Sequence, residues 1–256
     1  MIPCVSSGAA VNTEIPAERL RVAGITPFTT IDFPGRLSAV AFLQGCPWKC
    51  VYCQNPWMQP REFAEGLEHG SWEDLVRLLE RRRGLLDGVV FSGGEPCADP
   101  ALPAALKAVR EMGFQTGLHT GGAYPRRLEE VIGLLDWVGF DVKAPPEDEA
   151  AWRRVTGVPG AAAHWLESFS ILRTSGVAYE CRTTAHPDYL SEEDLLRTAR
   201  WLAAHGVEDF ALQICRRPPG VLFAPLPAVG SDYPARNVRE ELGRLFKRFT
   251  ERRNDR

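Results

Sequence analysis

From residue 36 onward, short β-rich apolar runs alternate with amphipathic segments, and this alternation narrows the folds open to the chain. The runs cover residues 37–43, 88–91, 114–118, 138–142, 177–182 and 209–214, each bounded by polar or glycine-bearing sequence. Consecutive strands separated by helices must run parallel, joined by right-handed crossovers. Six such alternations predict an α/β fold, an incomplete (β/α)6 barrel of parallel strands. The 256 residues, 45% of them apolar, suffice to build it as one unit.

The helices between these runs have readable ends. Ser71 caps a stripe of Trp72, Leu75, Val76 and Leu79, and Asp99-Pro100 opens a helix that Gly113 closes. A helix over 163–175 stops at Gly176, a weaker one spans 124–135, and Ser191 with Asp194 starts one that Gly206 ends. The expected organisation is an N-terminal extension (1–20), the barrel domain (21–216) and a C-terminal extension (217–256). The last of these begins Pro-rich and ends in an amphipathic helix through Val238, Leu242, Leu245, Phe246 and Phe249. Its final 21 residues hold eight Lys/Arg against four Asp/Glu, read as a solvated helix face.

A formal charge of −3 and a pI near 6.0 leave no broad basic surface for nucleic acid or anionic lipid. No window approaches the ~18 apolar residues of a membrane span, and the N-terminus does not read as an export signal. The chain reads as soluble and cytoplasmic. Three of its seven cysteines, Cys46, Cys50 and Cys53, fall within eight residues, which in such a chain points to metal or redox chemistry rather than disulfides.

Each predicted strand ends in chemically unusual sequence. In order these are Gly45-Cys-Pro-Trp-Lys-Cys-Val-Tyr-Cys53, Ser92-Gly-Gly-Glu-Pro96, His119-Thr-Gly-Gly122, Asp141-Val-Lys143, Glu180-Cys-Arg-Thr-Thr184 and Gln213-Ile-Cys-Arg216. Loops after the strands of a βα barrel form one mouth, where the active site is expected. The C-x3-C-x2-C spacing wraps three thiolates around one face of a soft-metal centre and leaves a position open. A zinc site completed by a distant cysteine is the alternative, although no second CxxC exists. Nucleotide loops are excluded: Gly93 is followed by Gly94 rather than Lys, and no two glycines lie two apart.

Cys46, Cys50 and Cys53, with Tyr52 before the last, followed by Ser92-Gly-Gly-Glu-Pro96, resemble the radical S-adenosylmethionine (SAM) superfamily. Further matching segments are Thr30-Ile-Asp-Phe-Pro-Gly35, Phe42-Leu-Gln-Gly-Cys46, Cys53-Gln-Asn-Pro56, Thr120-Gly121, Asp141-Val-Lys143 and Arg182-Thr-Thr184. Together they resemble the activating enzymes of glycyl-radical enzymes, most closely the anaerobic ribonucleoside-triphosphate reductase activating proteins.

The resemblance implies a [4Fe–4S] cluster on Cys46, Cys50 and Cys53 whose fourth iron takes the amino and carboxylate groups of SAM. One electron from the cluster breaks the S–C5′ bond, and the 5′-deoxyadenosyl radical abstracts hydrogen from a glycine of a partner enzyme. It also implies that Gly93, Gly94 and Glu95 present acceptors to the SAM amino group and that Asp141 bonds the ribose. Lys143 and Arg182 would pair the SAM carboxylate, Tyr52 would lie near adenine, and Thr120 would join the cofactor contacts. A flavodoxin or ferredoxin would supply the electron, and the target would be a glycyl-radical enzyme such as an anaerobic ribonucleotide reductase.

Two positions depart from the family pattern. His119 replaces the Asp of an Asp-Thr-Asn-Gly turn that helps hold a monovalent cation, so no metal is expected there, and Gln54 replaces the His of Cys-His-Asn-Pro. No cysteine lies between Cys53 and Gly88, so a single cluster is expected, and Cys97, Cys181 and Cys215 read as small hydrophobes. Two alternatives stay open: a radical SAM enzyme acting on a small molecule or another protein, and a non-catalytic iron–sulfur or zinc protein.

Overall fold

The computed structural model describes residues 15–216 and 226–253. Cys4, most of the expected N-terminal extension and part of the Pro-rich stretch lie outside the described residues. Eight strands form one sheet in sequence order: β1 (Val22–Thr29), β2 (Ser38–Leu43), β3 (Gly88–Gly93), β4 (Gln115–Thr120), β5 (Trp137–Asp141), β6 (Ala178–Ala185), β7 (Asp209–Ile214) and β8 (Arg248–Arg252). Strands β2 to β8 are parallel, and β1 pairs antiparallel with β2. The six expected strands form the centre of this sheet, and β1 and β8 add an edge on each side. Neighbours in sequence are neighbours in space, so same-handed crossovers put the helices on one face and curl the sheet into a partial barrel.

Strand alternation sorts the two faces. Ala39, Ala41, Leu43, Val89 and Phe91 point to the helix layer, within a core that also holds Leu75, Leu79, Leu106 and Leu202. Val40, Val90 and Trp137 point inward, where Phe33 stacks on Trp137 at 5.7 Å between ring centroids and fills the barrel floor. Phe33 sits in the β1–β2 connection, so that loop closes the bottom of the barrel while the mouth stays open.

The helix ends follow backbone hydrogen-bonding logic. Helix α1 (Trp72–Arg81) is capped by the Ser71 hydroxyl, which accepts from the Asp74 amide. Helices α2 (Leu102–Glu111), α3 (Pro125–Val131) and α5 (Ala161–Ser175) fall where expected, with α3 shorter than 124–135 because its last turn tightens to 3-10 geometry over Ile132–Leu134. Helix α6 (Glu192–Ala204) carries the full Ser191/Asp194 capping box.

Two elements differ from the sequence expectation. Helix α4 (Glu149–Thr156) has no counterpart among the expected helices, although Asp148 caps it and Gly157 ends it at φ 72°. The terminal helix α7 (Arg236–Leu245) stops before Phe246, and Phe249, expected to extend its apolar stripe, lies in β8 beside Phe210. The segment Arg-Phe-Thr-Glu-Arg has little strand character, so pairing with β7 decides its conformation. Among the described residues, no helix is long and apolar enough to cross a membrane.

Candidate active site at the barrel mouth

Parallel strands β2 to β6 end at Leu43, Gly93, Thr120, Asp141 and Ala185, and these ends with the segments after them surround a cavity of about 190 Å³ that opens to solvent. All eleven residues singled out from the sequence line it: Cys46, Cys50 and Cys53 from the β2 loop, Tyr52 beside them, Gly93, Gly94 and Glu95 after β3, Thr120 on β4, Asp141 and Lys143 at β5, and Arg182 on β6. A concave site with a few convergent polar and charged groups is the form that small-molecule and cofactor sites take.

The cysteine loop is held by its backbone. Gly45 and Cys46 amides donate to Met58 and Gln59 carbonyls at 2.8 and 2.9 Å, while Lys49 and Val51 amides donate to Thr156 and Val155 at the end of α4, at 2.8 and 3.0 Å. Buried Gln44 directs its amide at the Trp57 and Pro60 carbonyls, pinning the returning segment. Sequence reading missed both supports. The Asp148 cap and Gly157 stop were the available signal for α4, whereas nothing local marks Gln44.

Gly93 and Gly94 pack against this loop. A Cβ on Gly93, whose φ is 112°, would meet the Leu43 amide nitrogen at 2.3 Å, and one on Gly94 would meet the Gly45 carbonyl at 2.4 Å. Side-chain absence is therefore required for strand β3 to approach the start of the cysteine loop. Glu95 completes the junction from the other side. Its buried carboxylate accepts from the Thr120 hydroxyl (2.7 Å), the Gly121 amide (2.9 Å) and the Cys97 amide (3.1 Å), joining the ends of β3 and β4. Burial pushes the Glu95 carboxyl up, against those three donors.

Asp141 binds both neighbouring cations, Lys143 at 2.7 Å and Arg182 at 2.7 Å. Burial alone would raise its carboxyl, but Arg182 and Lys143 outweigh that and hold it well below the usual carboxylate range. The Lys143 ammonium lies 6.0 Å over the Tyr52 ring. The Tyr52 hydroxyl is buried without a hydrogen-bond partner, an orphan polar atom on the wall of the site.

His119 and Gln54, the two departures from the family pattern, both reach the site. His119 Nε2 donates to the Asp32 carbonyl at 2.9 Å, so this side chain ties β4 to the floor loop, and burial lowers its pKa to about 3. The Gln54 amide donates to the Arg216 carbonyl at 2.9 Å and links the cysteine loop to the end of β7.

Burial raises the Cys46 thiol to about 12 and the Cys50 thiol to about 11, so metal loading must release their protons. Among the described residues, no three His, Cys, Asp or Glu side chains converge as ligands of a single ion. A cubane offers a separate iron to each thiolate, so three sulfurs spaced around one cavity wall suit a cluster. The open cavity, the thiol donors and the orphan Tyr52 hydroxyl all accommodate a cluster with an adjoining polar ligand.

Residues 40–202 match the radical SAM superfamily. The chain belongs to the radical SAM superfamily. A Methanocaldococcus jannaschii protein provisionally named a glycyl-radical enzyme activating enzyme is 30% identical over 251 residues, covering 89% of this chain and 92% of its own. The pyruvate formate-lyase-activating enzyme of Clostridium pasteurianum is 34% identical over 142 residues, 54% of this chain and 57% of that one. In fold, Streptococcus suis SuiB bound to S-adenosylmethionine superposes with a TM-score of 0.62 at 15% identity, over 82% of this chain and 48% of its own. This radical SAM protein is an enzyme of the glycyl-radical-enzyme activating class, with a [4Fe–4S] cluster and SAM as its cofactors.

Proposed function

We propose that this radical SAM enzyme installs a radical on a glycine of a partner enzyme, and that the partner is an anaerobic ribonucleotide reductase. The observation that carries the reading is the meeting of three thiols, a glycine-built strand end and a buried cation pair on one cavity at an open barrel mouth. Strands β1 and β8 are not paired with each other, so the barrel has a lateral seam through which a loop of another protein can approach. The reductase as partner rests on the resemblance carried together by the Thr30–Gly35, Phe42–Cys46, Cys53–Pro56, Thr120-Gly121, Asp141–Lys143 and Arg182–Thr184 segments.

In this reading Cys46, Cys50 and Cys53 hold the cluster. When bound, the cluster and SAM supply reductive cleavage to a 5′-deoxyadenosyl radical. The protein's own contribution is placement. Gly93 and Gly94 let the β3 end close on the cysteine loop, and Glu95 with Thr120 fixes the β3–β4 edge. Asp141 orients Lys143 and Arg182 toward the SAM carboxylate and meets the ribose, and Tyr52 offers its free hydroxyl on the adenine side. A flavodoxin or ferredoxin delivers the electron.

The test is an anaerobic EPR spectrum of reconstituted protein, SAM, reductant and the candidate reductase, with 5′-deoxyadenosine measured in the same tube. A glycyl-radical doublet that disappears in Cys50→Ala supports both chemistry and partner. 5′-Deoxyadenosine without a doublet overturns the partner, and neither product from a protein with an intact cluster overturns the catalytic reading.

A further inference from the structure

The outer side of the cysteine loop carries a cluster of cations that the site does not use. Lys49 directly precedes Cys50 and is exposed, while Cys50 lines the cavity and Lys49 does not. The Lys49 amide donates to Thr156 at the last turn of α4, and the Lys49 Cβ would lie 3.5 Å from a Cβ on Gly157. That turn of α4 buries Val155 and Thr156 inward and exposes Arg153 and Arg154. Three positive side chains are thereby gathered within one helical turn on the back of the loop.

Many of the other surface cations are held by carboxylates, although among the described residues Arg81, Arg82 and Arg83 form a second exposed run without a carboxylate partner, far in sequence from the cysteine loop. Arg110 pairs with Asp136, Arg197 with Asp148 and Asp194, Arg200 with Glu241, and Arg248 with Asp209. Among the described residues, no carboxylate lies within ion-pair distance of Lys49, Arg153 or Arg154. The nearby Glu149 carboxylate is occupied by the Gly160 and Ala162 amides at the start of α5, and Asp148 caps α4 and holds Arg197, with the Arg154 charge acting on it from beyond ion-pair distance. Glu147 is the remaining exposed acid in this stretch. What sets Lys49, Arg153 and Arg154 apart is their place beside Cys50: in a chain of net charge −3, a local excess of exposed positive charge there suits a negatively charged partner.

We infer that Lys49, Arg153 and Arg154 form the docking face for an acidic one-electron carrier protein, which reduces the cluster from the side opposite the SAM cavity. The inference rests on the functional reading above, since it needs the cluster on Cys46, Cys50 and Cys53. In the step, the carrier loses one electron and the cluster gains it, with no proton or group transferred. A carrier seated on Lys49 is one peptide unit from a cluster ligand, and the barrel mouth and seam remain free for SAM and the glycine-bearing partner. Surface charges of this kind act on encounter rate and its salt dependence.

The experiment compares the reconstituted parent protein with K49E/R153E/R154E and with a remote control, R244E. Cluster reduction by a photoreduced acidic flavodoxin is followed by stopped-flow absorbance at low and high salt, and SAM cleavage is driven separately by dithionite. The expected result is a bimolecular rate constant with flavodoxin at least about tenfold lower in the triple variant at low salt, with a flatter salt dependence. Dithionite-driven 5′-deoxyadenosine should be unchanged, and R244E should match the parent. Flavodoxin rates within twofold of the parent overturn the docking face, as does an R244E loss of equal size. Weakened binding of the glycyl-radical enzyme with an unchanged flavodoxin rate also overturns it, assigning the patch to that partner instead. If the triple variant does not load a cluster, K49Q and R153Q/R154Q are read in the same way, each expected to slow the flavodoxin reaction. A parent that forms no 5′-deoxyadenosine with dithionite overturns the functional reading itself, and the docking face with it.

Discussion

Arg182 and Asp141 stand opposite each other in register across β5 and β6, with the guanidinium Nε 2.9 Å and Nη2 2.7 Å from carboxylate Oδ1. Lys143 takes the other oxygen at 2.7 Å. A single carboxylate thus fixes two cations at the edge of the cavity, leaving their positive charge in excess by one where an anionic ligand group would arrive. The pairing holds both side chains in place before any ligand binds, which lowers the ordering cost of binding.

Asp141→Asn keeps the shape and removes the charge, leaving two largely buried cations facing each other. The expected cost is about 3–5 kcal/mol of folding stability, the usual penalty for stranding buried charge. Denaturant unfolding of the apoprotein measures it, and D141N/R182Q should recover part of the loss. Because the folded Asp141 carboxyl sits below its unfolded range, its stabilisation is present above the ordinary Asp pKa and fades as pH falls. A loss below about 1 kcal/mol would mean the three groups are not held as a unit.

Glu95→Gln tests the junction between β3 and β4. Oε1 accepts from Thr120 and Cys97 and Oε2 from Gly121, so the new amide must turn an NH2 toward a donor. The expected loss is about 1–3 kcal/mol at neutral pH. Burial raises the native Glu95 carboxyl, so across the interval above the ordinary Glu pKa the folded state binds more protons and the parent loses stability as pH rises. The gap between variant and parent should therefore widen toward lower pH, as seen in unfolding curves at stepped pH. A constant gap would contradict the raised carboxyl.

The barrel and the eleven cavity residues were legible in the sequence because both depend on local patterns: short apolar runs, glycine stops, and motifs at strand ends that a parallel barrel must bring to one mouth. What was not legible depends on tertiary contact. Strand β8 is mostly polar and becomes a strand only by pairing with β7, and β1, which contains Gly24 and Pro27, has neither clean alternation nor a continuous apolar run. The Lys143–Asp141–Arg182 arrangement joins adjacent strands whose register no sequence spacing reveals. Gln44 looks like an ordinary polar residue until the returning Trp57–Pro60 segment gives its amide two carbonyls.

Gly94→Ala places a methyl 2.4 Å from the Gly45 carbonyl, and backbone on both sides leaves it no flexible side chain to displace. Strand β3 and the cysteine loop must separate, so the variant should lose thermal stability and also load less iron. Iron and sulfide analysis after anaerobic reconstitution, beside a melting curve, separates this from a purely catalytic defect. Full iron loading with an unchanged melting temperature would show that the approach of these two backbones is adjustable.

His119→Gln tests how the barrel floor responds to acid. In the native fold, Nε2 donates to Asp32, Nδ1 lies 3.3 Å from the Ser92 hydroxyl, and Trp137 meets the ring edge-on. Burial first, and the Arg182 charge second, lower the imidazole to about 3, while the unfolded chain titrates near the ordinary ~6.5. Between those values the unfolded state binds a proton that the folded state refuses, so stability rises with pH and is lost on acidification by up to about 1.4 kcal/mol per pH unit. The substituted carboxamide cannot titrate, yet its NH2 can still donate to the Asp32 carbonyl. The variant's unfolding free energy, measured in urea from about pH 4 to 7, should therefore fall less steeply toward acid than the parent's, and the two curves should converge or cross there. Parallel curves would show that the imidazole can take up a proton within the closed floor, and that Asp32 and Ser92 rearrange to admit it.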